Sequence, residues 1–305
     1  MKRILALASA GLLALSLTAC SNDNNTAGEE KSASSPGATS DIDATAPLFE
    51  VEGDRGQEPT LTFSGEAPAT LQRYVMDANP DGKEVGATDA VYALYHGQVW
   101  DGDIFDSAYQ RNAPIVFPLT GVIRGWQEGL TGTHVGERVQ LSIPSELGYP
   151  EGTPDGSIKP GETIVFVVEI IDAAGLDTPG DPDAEAVADP ADFGVKLTRD
   201  DEGRLQSGEL LADGADMDPM EPTVLFQGSD DTKISATDQV ALRIVRLQAD
   251  APQSDVSDEL LTMGADQLPK ADQLRVGSIV VAGEGKAGSM ADSAIIFEVI
   301  KIFRE

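Results

Sequence analysis

One strand pattern occurs twice in this chain, and that repetition limits the folds open to it. The segments "ATDAVYALYHG" (87–97), "VGERVQLSI" (135–143) and "ETIVFVVEII" (162–171) are answered by "ATDQVALRIVR" (236–246), "VGSIVVAGE" (276–284) and "SAIIFEVIKI" (293–302). Each copy opens with a polar stretch near a phenylalanine, Phe49 or Phe193. The unit is roughly 120 residues, the size of a domain and far longer than a solenoid repeat. Alternation puts Val91, Ala93 and Tyr95 on one strand face, matched by Val240, Leu242 and Ile244. Val139, Leu141 and Ile143 alternate likewise, as do Ile164, Phe166 and Val168, and in the second copy Ile295, Phe297 and Val299. His96 and Arg243 fall on the opposite faces, which predicts that those faces are solvated. Strands dominate and a single short helix lies among them. The expected fold class is therefore α+β: an antiparallel β-sheet curled over a short helix, in two tandem copies.

That helix is predicted over residues 121–130, "GVIRGWQEGL". Gly121, Gly125 and Gly129 recur every fourth residue, although a mid-helix glycine costs about 1 kcal/mol relative to alanine. Val122, Trp126 and Leu130 recur with the same spacing, and Ile123 joins their face. Such a helix must bury its tryptophan, and the question is whether the indole serves a core or a pocket.

The ends of the chain suggest where it works. Lys2 and Arg3 precede an apolar run to residue 19, too short for a comfortable span and typical of a secretory leader. "LTAC" (17–20) resembles the bacterial lipoprotein signal, in which the cysteine is lipidated and becomes the first mature residue. Cys20 is the chain's single cysteine, so no internal disulfide exists. Residues 20–46 are polar, lack periodicity and read as a flexible tether. These features predict a secreted protein, lipid-anchored to the outer face of the bacterial cell membrane through Cys20. The net charge of −31 argues against nucleic acid, whose binding needs basic patches. Residues 174–192 read as an acidic linker, without the spacing or central glycine of a calcium loop. The resulting division is leader 1–19, tether 20–46, first domain 47–173, linker 174–192 and second domain 193–305. The two histidines, His96 and His134, are expected at the surface, so neither a metal site nor a serine triad is predicted.

In the first copy, residues 91–171 carry Y-x-G, FDS, VIxGWxEGL, VGxR, LGY and a closing VFxVE strand, in that order. This set resembles the FKBP-type peptidyl-prolyl cis-trans isomerases. The resemblance implies an apolar pocket for proline with Trp126 as its floor. Phe105, Phe117, Val122 and Phe166 complete the substrate-binding set. Tyr95, Asp106, the Ile123 N–H and the Tyr149 hydroxyl are the implied catalytic groups, with Arg111 as the partner of Asp106. Ile115 stands where many members have a second aromatic, and Ser145 replaces a common proline. The implied activity is isomerisation of X–Pro bonds without a cofactor or metal, and the implied partners are proline-containing polypeptides. A macrolide is a further ligand that the resemblance implies.

The second copy keeps the strands and loses these groups. Ile244 stands for Tyr95, Asp255 is the nearest match to Asp106, and no tryptophan follows Trp126. From the VG glycine to the strand phenylalanine there are 30 positions in the first copy (136 to 166) and 20 in the second (277 to 297). The second domain is therefore expected to be a degenerate copy. A folding isomerase for secreted or cell-envelope proteins is the leading reading. The alternative is a non-catalytic lipoprotein chaperone that only holds proline segments; a solute-binding lipoprotein is weaker, since nothing suggests two lobes around a cleft.

Overall fold

The computed structural model describes residues 42–211, 221–248, 251–283 and 293–304. The leader, Cys20 and most of the expected tether lie outside these residues. The first half contains β1 (Glu50–Glu52), β2 (Thr60–Thr62), β3 (Gln72–Asp77), β4 (Ala90–Val99), β5 (Ile104–Ser107), β6 (Ile115–Pro118), α1 (Arg124–Leu130), β7 (Arg138–Ile143) and β8 (Ile164–Ala174). The second contains β9 (Glu185–Ala186), β10 (Val195–Arg199), β11 (Leu205–Leu210), β12 (Thr223–Gln227), β13 (Gln239–Gln248), β14 (Gln253–Asp255), β15 (Leu261–Gly264), β16 (Ile279–Gly283) and β17 (Ser293–Phe303).

Both halves are built on antiparallel sheets. The first has the order β3-β7-β8-β4-β5, with β6 also paired to β4. The second has the order β9-β12-β16-β17-β13-β15. The alternating residues share one face as expected. Val91, Ala93, Tyr95, Val139, Leu141, Ile143, Ile164, Phe166 and Val168 pack together around Trp126 and Leu130. Val240, Leu242, Ile244, Phe297 and Val299 form a cluster on the second sheet, to which Leu268 and Leu274 also belong. Ile295 is only half-buried.

The opposite faces are not solvated, and this corrects the expectation for His96 and Arg243. On the first sheet, Phe49 and Phe63 from the flanks of the β1–β2 hairpin, with Trp100 from the turn after β4, cover Val165 and Val167. His96 is 1% exposed there; its ring nitrogens meet Gln98 Oε1 at 2.9 Å and Glu58 Oε1 at 3.3 Å. On the second sheet, β10 and β11 lay Val195 and Leu205 over Val245, Leu247, Ile279 and Ile296. Arg243 is buried in an ion pair with Glu298, and its other amine donates to the carbonyls of Leu176 and Thr178. Burial pushes the Glu298 carboxyl up, against the pull of Arg243. His134 is partly exposed, with Nδ1 3.5 Å from Glu137.

The expected boundaries also shift. Residues 42–44 already pair with β3: Arg73 N–H donates to the Ile42 carbonyl and Ala44 N–H to that of Arg73, each at 2.7 Å. Within the expected linker, Glu185–Ala186 joins the second sheet beside β12, and Asp181 accepts a hydrogen bond from Ser229 N–H at 2.5 Å. The strand phenylalanines are not equivalent either. Tyr95 stands opposite Val168, whereas Ile244 stands opposite Phe297, so Ile295 rather than Phe297 occupies the register of Phe166.

The helix is shorter than predicted. α1 spans only Arg124–Leu130, Leu119–Gly121 form a separate short turn, and Ile123 is extended at the cap (φ −62°, ψ 148°). Two of the glycines explain its path. A Cβ on Gly125 would lie 2.2 Å from Ile143 Cγ2, and one on Gly129 2.9 Å from Leu141 Cδ2, so α1 rests with its backbone on β7.

Two stability measurements test this packing. Helix propensity alone predicts that Gly125→Ala stabilises by about 1 kcal/mol. The contact with the buried Ile143 predicts instead a loss of about 1–3 kcal/mol, read as a lower urea midpoint. Arg243→Leu should cost about 3–5 kcal/mol in the same titration, because it strands Glu298 in the interior. A neutral result would mean that Glu298 finds another partner.

Candidate proline-binding site

Seven segments converge on the concave face of the first sheet. Tyr95 comes from β4, Phe105 and Asp106 from β5, Ile115 and Phe117 from β6, Val122 and Ile123 from the helix entry, Trp126 from α1, Tyr149 from the loop after β7 and Phe166 from β8. Together with Gly121 they line one cavity of about 300 Å³. The nine catalytic and substrate-binding residues anticipated from the sequence all line this cavity, whereas Cys20 lies outside the described residues. Ile115 and Gly121 are additions to that set.

Trp126 is 6% exposed and is surrounded by ring edges. Its centroid lies 4.8 Å from Phe117, 4.9 Å from Phe166 and 5.1 Å from Tyr95, at interplanar angles of 65°, 84° and 89°. Edge-to-face contacts of this kind hold a ring in one orientation. Phe105 adds a further edge contact to Phe166 at 5.6 Å. Room for these two rings comes from Gly97, where a Cβ would lie 2.6 Å from Phe166 Cε1. The Trp126 Nε1–H is buried and has no hydrogen-bond partner among the described residues. Such donors are rare in cores, where polar groups are paired.

Polar groups sit at one side. The Tyr95 hydroxyl donates to Asp106 Oδ2 at 2.5 Å and accepts from Arg111 Nη2 at 2.7 Å. Arg111 Nη1 also donates to Asp106 Oδ1, and its guanidinium lies 5.5 Å from the Tyr95 ring centroid. Burial, reinforced by Asp106, pushes the Tyr95 hydroxyl well above the usual tyrosine range. The Tyr149 hydroxyl is pushed up by burial first and by Asp106 second. Both therefore keep their protons at neutral pH.

Besides the Trp126 Nε1–H, two further donors at the cavity have no partner among the described residues: the Tyr149 hydroxyl and the backbone N–H of Ile123, which precedes the first turn of α1. The loop carrying Tyr149 is tied down beyond it. Thr153 N–H donates to the Ile158 carbonyl at 2.8 Å, and Ile158 itself is buried in the core. Asp255, the nearest match to Asp106 in the second half, is exposed on β14, which pairs with β11.

The family profile described as FKBP-type peptidyl-prolyl cis-trans isomerase matches residues 82–171, the stretch that builds this cavity. A probable FKBP-type peptidyl-prolyl cis-trans isomerase of Haemophilus influenzae is 36% identical over 124 residues, covering 41% of this chain and 49% of that protein. The FKBP-type 22 kDa peptidyl-prolyl cis-trans isomerase of Escherichia coli is 46% identical over 85 residues, covering 28% and 41%. The chain thus spans half or less of these two relatives. The FK506-binding protein 2 of Debaryomyces hansenii is 40% identical over 120 residues, covering 38% of this chain and 85% of that protein. Through the domain that holds the aromatic cavity, the chain belongs to the FKBP-type peptidyl-prolyl cis-trans isomerase family.

Proposed function

We propose that the protein is a peptidyl-prolyl cis-trans isomerase that binds proline against Trp126 and favours the twisted amide. The observation that carries this reading is an aromatic cavity at which the Ile123 N–H and the Tyr149 hydroxyl stand as unspent hydrogen-bond donors. Rotation about X–Pro is slow because the planar amide must lose its resonance, at a barrier of about 18–20 kcal/mol. The twisted amide has less charge separation than the planar one, so an apolar enclosure disfavours it less. Donors at the rim steady the carbonyl as it turns, which is differential binding of the transition state rather than covalent chemistry. Asp106, held by Tyr95 and Arg111, supplies a fixed negative field beside the ring. The rival reading is a holdase that uses the same cavity only to grip proline segments, and the unspent donors favour the enzyme.

The second half fits a degenerate copy of the first. Asp89 Oδ2 accepts Gly86 N–H at 3.1 Å and its carbonyl accepts Leu119 N–H at 2.9 Å. Asp238 accepts Ser235 N–H at 2.8 Å and Ala265 N–H at 2.9 Å in the same way. The strand orders agree as well, β3-β7-β8-β4 against β12-β16-β17-β13. Leu268 and Leu274 are buried in the core cluster of the second half, where the first half has the helix and indole in its own. With no tryptophan and no counterpart of Tyr95, the second half is read as binding no proline.

The protein should accelerate an isomerisation that otherwise takes tens of seconds, measured by exchange spectroscopy on a peptide such as Ala-Leu-Pro-Phe. Asp106→Val and Tyr149→Phe should each lower the rate by roughly tenfold, the loss of one charge-assisted or neutral contact, with the urea midpoint little changed. Trp126→Ala should abolish activity and cost roughly 3–5 kcal/mol of stability. Residual activity in a folded Trp126→Ala chain would locate a second site and sink the degeneracy reading. An inactive wild-type protein that still binds the peptide would establish the holdase.

The site of action is also a proposal: lipid on Cys20 anchors the protein to the outer face of the membrane, where secreted clients fold. Cys20→Ala should release it into the medium or leave it unprocessed, as fractionation would show. Membrane retention of a correctly cleaved alanine variant contradicts the anchor.

A further inference from the structure

We propose that Gln239, in the second half of the chain, is a positioning residue for the proline cavity: its side-chain amide holds β6, the strand that carries the Ile115–Phe117 wall. The proposal rests on the isomerase reading for its consequence, and on hydrogen bonds for its geometry. Strand β6 has one edge paired to β4, in the register Val91 to Phe117 and Tyr92 to Val116. Ile115 and Phe117 line the cavity, with Phe117 packed on Trp126. Val116 points the other way. It packs into a cluster with Tyr92 from β4 and with Ala241, Leu260, Ile300 and Phe303 of the second half. One strand thus separates the cavity from the second half.

The outer edge of β6 presents the Pro114 carbonyl and the Val116 N–H in the same direction, as residues i and i+2 of a strand do. An unpaired edge of this kind is free to fray or to recruit another strand. Here Gln239 Oε1 accepts from Val116 N–H at 3.0 Å and Gln239 Nε2 donates to the Pro114 carbonyl at 3.1 Å. One amide therefore stands in for a neighbouring strand. Only a side chain with both a donor and an acceptor can do so. Gln140 uses the same device on the other face, where its amide accepts from the Leu48 N–H and donates to the Phe49 carbonyl.

The support beneath Gln239 is rigid. Its backbone pairs with Phe303 of β17 on one side and Gly264 of β15 on the other. The preceding Asp238 is buried, closes its own turn and is paired with Arg304. The register of the whole second sheet is thereby transmitted to the distance between Phe117 and the indole. On this reading the second half sets the width of the cavity in the first.

The test compares Gln239→Leu, which removes both bonds at similar volume, with Lys301→Ala. The latter breaks a 2.7 Å ion pair to Asp172 between the same halves, away from β6. In Gln239→Leu the Val116 amide should exchange with solvent about tenfold faster. The KM for Ala-Leu-Pro-Phe should rise about fivefold with kcat within about twofold, the signature of lost ground-state fit. Lys301→Ala should change none of these. A purely structural role for Gln239 would lower the urea midpoint and leave KM as it was, and that result overturns the proposal. So does an equal rise of KM in Lys301→Ala. Should Gln239→Leu fail to fold, Gln239→Glu keeps the acceptor for Val116 and loses the donor to Pro114, and the same KM rise is required of it. Should the wild-type protein prove inactive, the isomerase reading fails separately. Val116 exchange then decides the clamp alone: protection lost in the variant upholds it, and equal exchange overturns it.

Discussion

Close contact between the backbone of α1 and strand β7 is the constraint from which the site follows. Seven residues of helix cannot reach across a curled sheet unless the helix lies almost on it. Gly125 and Gly129 allow this, since any Cβ there would meet Ile143 or Leu141. With the helix pressed down, Trp126 is brought within 5.1 Å of Tyr95, Phe117 and Phe166, residues from three different strands. The rings fix one another edge to face. The space left above them, about 300 Å³ and lined mainly by apolar side chains, is large enough for a proline ring.

A second theme is that each sheet is covered on both faces. Glu169 and Glu298 stand in the same register of their strands, opposite Leu94 and Arg243 respectively. Both carboxylates are buried under added layers, yet they are neutralised from opposite neighbours. Glu169 meets Arg138 of β7 at 3.4 Å and accepts the Tyr109 hydroxyl at 2.9 Å. Glu298 meets Arg243 of β13 and accepts the Leu205 N–H at 2.9 Å. The covering layers thus carry their own polar specificity, and they fix how each outer layer sits.

The sequence pattern revealed the strands and the inward faces, because period-two alternation is a local signal, and the resemblance to the FKBP family supplied the residues of the cavity. The pattern misplaced His96 and Arg243. A polar residue on an outward face looks the same whether it meets water or a partner such as Gln98 or Glu298, and only the covering layer distinguishes the two. It placed the helix start too early, since Val122 and Ile123 share the apolar face of α1 while lying in the extended entry to it. Phe297 was matched to Phe166 by residue type, whereas strand pairing aligns Ile295 with Phe166. Gln239 carried no sequence signal at all: its role depends on a strand more than one hundred residues away.

The two tryptophans offer a direct measurement of the central claim, that proline sits on the Trp126 indole. Trp126 floors the cavity and its Nε1–H is unpaired, while Trp100 packs against Phe49 and Phe63 on the opposite face of the sheet. A proton–nitrogen spectrum of the protein should therefore hold two indole signals in different environments. Titration with Ala-Leu-Pro-Phe is predicted to move the Trp126 indole signal and the Ile123 amide together, saturably, and to leave the Trp100 indole in place. A peptide that binds while both indoles stay fixed, or that moves Trp100 alone, would contradict the account.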